Sequence, residues 1–120
     1  MAEEARPGEG KTQVRVGVSE PTPGRIVITG ELTFASARDA RQLGVLVLES
    51  ARAPSIVIDC GGISRADSAG LAVLLDWLAW GRRKSRTIKL ENLPASLLAI
   101  AKISEVEGLL TAPASGADKV

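Results

Sequence analysis

Apolar and polar positions alternate from Gln13 to Val18, with Val14, Val16 and Val18 set against Gln13, Arg15 and Gly17. A period of two predicts a half-buried strand, here an edge strand. Pro21, Pro23 and Gly24 then supply a turn. The β-branched runs Arg25 to Thr29, ended by Gly30, and Ser55 to Asp59 predict two further strands. Their continuous apolar character predicts burial on both faces.

Between those runs, Ala35 to Arg52 places Ala40, Leu43, Val47 and Ala51 at helical spacing, Gly44 weakens the helix slightly, and Pro54 closes it. Ser68 to Lys84 is strongly helical and Thr87 to Leu90 reads as a short strand. Pro94 suits the first turn of a last helix reaching Lys102, with Asn92 as its cap. The order β-β-α-β-α-β-α predicts a small α/β domain whose mixed, mostly parallel sheet is covered by helices, with helix-linked strands parallel. One domain spans residues 13 to 110. Residues 1 to 12 and 111 to 120, rich in Ala, Gly, Pro, Ser and charge, read as disordered tails.

Composition removes several kinds of chemistry. The 120 residues include no histidine, so His-based triads, proton shuttles and zinc sites are excluded. Cys60, the single cysteine, forms no internal disulfide and fits a reducing compartment, the cytoplasm. It reads as a small buried filler. A net charge of +1 with Phe34, Trp77 and Trp80 as the only aromatics argues against nucleic-acid binding. The amino end has no apolar segment of a secretory signal, and the apolar stretch Gly70 to Gly81 is too short to span a bilayer.

In α/β sheets chemistry gathers where strands end and the next helices begin. That rule points to Asp59-Cys-Gly-Gly-Ile-Ser-Arg-Ala-Asp-Ser-Ala-Gly-Leu, read as a loop. Asp67 or Ser68 is an N-cap, and the unpaired N–H groups and dipole there favour a phosphate or a partner's acidic side chain. Asp67 opposes a phosphoryl group on Ser68, so added charge at an interface would act as a switch. Along the helix, Leu71, Leu74, Leu75 and Leu78 form one stripe, the core face, while Val73, Trp77 and Trp80 form a second. A helix covering one sheet does not bury both stripes, so part of the second is expected at the surface. Either Trp77 folds over the sheet edge as peripheral core, or Trp77 or Trp80 anchors a partner, and Ser68 and this stripe then form one docking surface. On that reading Trp80→Glu abolishes capture and leaves the fold intact.

Weaker candidates remain. Asp59 with Asp67 is a poor acid/base or magnesium pair, and Asp59 reads as a loop-structuring residue. Gly61-Gly62 lacks the lysine of a phosphate-binding loop. Arg82, Arg83, Lys84 and Arg86 read as a solvated helix end, with contact to an acidic partner or to anionic lipid headgroups as the alternative.

At Asp67-Ser68-Ala69-Gly70-Leu71 the chain resembles the STAS domain family of anti-sigma factor antagonists. Gly30-Glu31-Leu32, Ile56-Val57-Ile58-Asp59 and Gly108-Leu109-Leu110 extend the match over residues 13 to 110. The stretches from Asp67 to Trp80 and from Glu91 to Ser104 look like the MlaB-type STAS subunits of bacterial Mla phospholipid ABC transporters, some of which carry threonine at the Ser68 position. The resemblance implies a non-enzymatic subunit without cofactor or metal, held at the inner face of the inner membrane by the transporter's cytoplasmic ATPase and, through it, the permease. Its partner surface would comprise Asp67, Ser68, Ala69, Gly70, Val73, Trp77 and Trp80. The alternative is an anti-sigma factor antagonist phosphorylated on Ser68 by a serine kinase. A small enzyme built on Asp59 and Asp67 is a third possibility.

Overall fold

A computed structural model describes residues 15–111. Both predicted tails, save Thr111, and the first two residues of the predicted edge strand lie outside the described residues. Four strands, β1 (Val16–Thr22), β2 (Arg25–Leu32), β3 (Ser55–Ala66) and β4 (Thr87–Glu91), form one sheet in the order β1-β2-β3-β4. β1 and β2 are an antiparallel hairpin, whereas β2/β3 and β3/β4 are parallel, as helical connections require. The helices are α1 (Ala37–Ser50), α2 (Ser68–Arg83), α3 (Ala95–Ile103) and α4 (Glu107–Thr111). The short α4 has no counterpart in the sequence reading.

The sheet is buried on one face only, which corrects the expectation drawn from the continuous apolar runs. Ile26, Ile28, Ile56, Ile58, Ile88 and Leu90 are buried. Alternate positions lie half-buried or exposed, among them Arg25, Val27, Val57, Asp59 and Lys89. Val27 and Val57 erase the period-two signal because β-branched residues suit a pleated surface on either side. On this open face Arg25 bridges three strands, pairing with Asp59 on β3 at 2.8 Å and Glu91 on β4 at 3.2 Å.

The strands outrun their predicted ends: β1 runs on through Pro21 to Thr22, leaving Pro23 and Gly24 as the turn, and β4 gains Glu91. β2 continues to Leu32, and the segment read as a loop from Asp59 is strand as far as Ala66. Pairing survives through two register shifts, with Thr29 opposite Gly62 and Leu32 opposite Ala66. Gly62 permits this approach, since a Cβ there would stand 2.8 Å from the Ile28 carbonyl oxygen.

α1 also packs differently from its predicted stripe. Its buried positions are Ala40, Gly44 and Leu48, and Leu43 is 37% exposed. Gly44 is a packing residue: a Cβ there would lie 2.2 Å from the Trp77 ring. Asn92 does not cap α3, whose N-cap is Pro94. Held at φ 57°, it donates its amide to Asp59 Oδ1 at 3.0 Å.

Candidate functional site at the amino end of α2

The carboxyl ends of β2 and β3 converge on the amino ends of α1 and α2, and Asp67 ties them together. Its Oδ1 accepts from the Ala69 and Gly70 amides at 2.9 and 3.1 Å, making Asp67 the N-cap of α2. Its Oδ2 accepts from the Phe34 amide at 3.0 Å. These donors, the Phe34 amide foremost, together with the field of Arg65, hold the carboxyl below its usual pKa. The cap is therefore a carboxylate at neutral pH.

With capping assigned to Asp67, Ser68 is the first helical residue. It is exposed, and its hydroxyl makes no hydrogen bond among the described residues. Ala69 is half-buried beside it, and Ala72, one turn on, is exposed. Gly70 is buried because α2 starts directly against β2: a Cβ would stand 2.0 Å from the Leu32 carbonyl oxygen. Its role is close packing, not partner contact.

Phe34, which the sequence reading passed over as one of three aromatics, is 84% exposed at this same end. Its loop is structured. The buried Ser36 hydroxyl accepts from the Thr33 amide at 3.0 Å and donates to the Glu31 carbonyl at 2.7 Å, while Asp67 holds the Phe34 backbone. A ring so exposed on a fixed backbone would cost little further ordering if a partner enclosed it.

The expected second stripe is not at the surface. Val73, Trp77 and Trp80 are 0, 1 and 5% exposed, all within the core. α2 meets α1 along one flank and α3 along the other, besides covering the sheet, so only Ser68, Ala72 and Asp76 remain outward along its first three turns. Asp76 there pairs with Arg41 of α1 at 2.7 Å. Both indole N–H groups are buried without an acceptor among the described residues. Leaving such a donor unpaired costs about 1–3 kcal/mol, and burying roughly 200 Å² of indole returns about 5 kcal/mol, so burial wins.

Arg86 also departs from its expected place in solvent. Its guanidinium lies 5.6 Å from the Trp80 ring centroid and donates to the carbonyls of Ala51 at 2.5 Å and Ala53 at 3.2 Å, tying the α2 exit to the α1 exit.

Asp59 and Asp67 are not one site, because their partner sets share no member. Asp59 accepts from Asn92, from the Gly61 amide at 2.9 Å and from Arg25, and these bonds, Asn92 first, lower its pKa to about 2. Cys60 is fully buried, and desolvation, reinforced by the Asp59 charge, pushes its thiol up to about 12.

A four-stranded mixed sheet with a helix beginning Asp67-Ser68-Ala69-Gly70 at the carboxyl end of its third strand defines a STAS domain. The chain belongs to the family described as Mlab, STAS domain, whose model matches residues 17–111. Its fold is similar to the anti-sigma factor antagonist SpoIIAA in its unphosphorylated form, with a TM-score of 0.60 and 17% identity over 78% of this chain and 83% of that one. It is also similar to part of SLC26A9, with a TM-score of 0.56 and 18% identity over 71% of this chain and 16% of that one. A structure of the murine Slc26a9 anion transporter in the inward-facing state matches with a TM-score of 0.54 and 19% identity over 80% of this chain and 19% of that one. At such identities the likeness is one of fold. The chain spans under a fifth of the transporter chains it matches. No curated protein sequence matches it. Among the described residues no helix is long and apolar enough to cross a membrane.

Proposed function

We propose that this chain is a non-enzymatic STAS subunit that binds the cytoplasmic ATPase of an Mla-type phospholipid ABC transporter and supports its assembly. The observation that carries the reading is the family match over residues 17–111 together with an exposed, unbonded Ser68 hydroxyl at the start of α2. The partner surface is redrawn: Ser68, Ala69 and Ala72 with Phe34 in place of Val73, Trp77 and Trp80, and Asp67 as the residue that positions them. Phe34 supplies the aromatic anchor that the tryptophans were expected to supply. Affinity purification of the tagged chain from its native cells, with mass spectrometry, tests this. Recovery of an ABC ATPase with its permease supports the reading, and their absence overturns it.

A second reading is favoured by the same hydroxyl and by the fold likeness to an antagonist described in its unphosphorylated form. Here Ser68 is phosphorylated by a serine kinase, and roughly −1.5 to −2 of added charge beside Asp67 releases a partner that accepts the neutral side chain. With its second stripe buried, α2 offers no apolar face in favour of a permanent assembly, and the family match alone ranks the readings. Copurification of a GHKL-type kinase and an intact mass one phosphoryl heavier favour the second.

A further inference from the structure

The end of the domain remote from Ser68 carries a concentration of positive charge that the proposed partner surface does not use. α2 runs 16 residues, about 24 Å at 1.5 Å per residue, and finishes at Arg82 and Arg83 with Lys84 as its C-cap. Arg86 brings this exit against the exit of α1 through the Ala51 and Ala53 carbonyls, which sets Arg52 at the same end. Arg52, Arg82, Arg83 and Lys84 are exposed, and none of them, nor Arg86, forms an ion pair among the described residues. Two acidic residues line the clefts beside Arg52: Glu49, and Glu20, which is engaged by the Gly24 amide at 2.8 Å.

Dipole complementation accounts for Arg82 and Arg83 in the last turn of α2, but the last turn of α1 holds no cation, and five basic residues still gather around the two helix ends. None of the exposed large apolar residues lies on α2 or at its exit: Phe34, Ile103 and Leu109 belong to other segments, and Leu43 and Leu46 lie further back on α1. Long, flexible cations without an aromatic or aliphatic anchor make a poor protein hot spot, yet they suit a diffuse sheet of negative charge.

We propose that this basic end touches the anionic headgroups of a phospholipid bilayer directly, while the Ser68 end remains free for its protein partner. The contact is independent of the identity of that partner.

Vesicle co-sedimentation of the full chain tests it, using phosphatidylcholine vesicles with and without about one third phosphatidylglycerol at low salt. Binding is expected only with the anionic lipid and weakens as salt is raised. The triple variant R82Q/R83Q/K84Q, its fold checked by circular dichroism, is expected to lose about a hundredfold in partitioning. S68D is expected to bind vesicles as the parent does. Equal binding to both vesicle types, or no loss in the triple variant, overturns the proposal. So does absence of binding to the anionic vesicles, and loss of the copurifying protein in the triple variant would then assign the patch to a protein interface.

Discussion

The indole of Trp77 lies directly over Gly44, so close that a Cβ on the glycine would sit 2.2 Å from the Cε2 and Cζ2 ring atoms. That contact sets how near α1 comes to α2. It also determines what Gly44→Ala does: the helix gains about 1 kcal/mol of propensity, whereas the ring, enclosed in the core, is displaced at a cost nearer 1–3 kcal/mol. We expect net destabilisation, seen as a lower urea midpoint at unchanged slope. Adding Trp77→Phe is expected to recover part of the loss, a coupling that a double-mutant cycle reads directly.

Trp80→Glu is expected to unfold the domain. A carboxylate at a position 5% exposed is cut off from water, and the Arg86 guanidinium beside it already serves the Ala51 and Ala53 carbonyls. Loss of the cooperative transition in a thermal melt checks this, and a folded variant would restore Trp80 as a surface anchor.

Alternation located β1, β-branched runs located β2 and β3, and helical spacing with Pro54 and Pro94 located the first three helices. Helical spacing misjudged α2, since the second stripe was weighed as though the helix covered only a sheet, while α1 and α3 flank it on both sides. Gly44 read as a weak helix former because its partner, Trp77, is 33 positions away in sequence. Asp67 and Ser68 were legible through capping chemistry, although only coordinates distinguish the cap from the exposed hydroxyl. Phe34 was illegible: a lone aromatic before a helix reads as core, and it is turned outward by bonds from Ser36 and Asp67 that leave no periodic mark.

Asp67→Ala removes the acceptor for three amides at once. The cap alone is worth about 0.5–2 kcal/mol, and the freed Phe34 amide adds to the loss. Because the folded carboxyl titrates below its ordinary value, this contribution is complete above the usual carboxylate range and fades as pH falls below it. Urea midpoints of parent and variant are expected to converge on acidification.

Asp59 makes a sharper pH prediction. Its folded pKa of about 2 lies below the ordinary 3.8, so its stabilisation is present above pH 3.8 and disappears as pH falls towards 2. Asn92→Ala removes the largest cause of the shift and is expected to raise the Asp59 carboxyl pKa in a carbon-13 NMR titration. An unchanged titration would assign the shift to Arg25 and the Gly61 amide.

Phe34→Ala separates binding from folding. The ring is 84% exposed, so truncation is expected to change stability by less than about 0.5 kcal/mol. If Phe34 enters a pocket on the ATPase, the same truncation costs about 2 kcal/mol or more of binding, roughly thirtyfold in Kd. Ser68→Glu is expected to weaken capture by repulsion at an interface shaped for a hydroxyl, while Ser68→Ala retains most of it because that hydroxyl satisfies no bond within the domain. Titration calorimetry with purified ATPase measures all three. Unchanged affinity for Phe34→Ala and Ser68→Glu together would move the partner surface away from the amino end of α2.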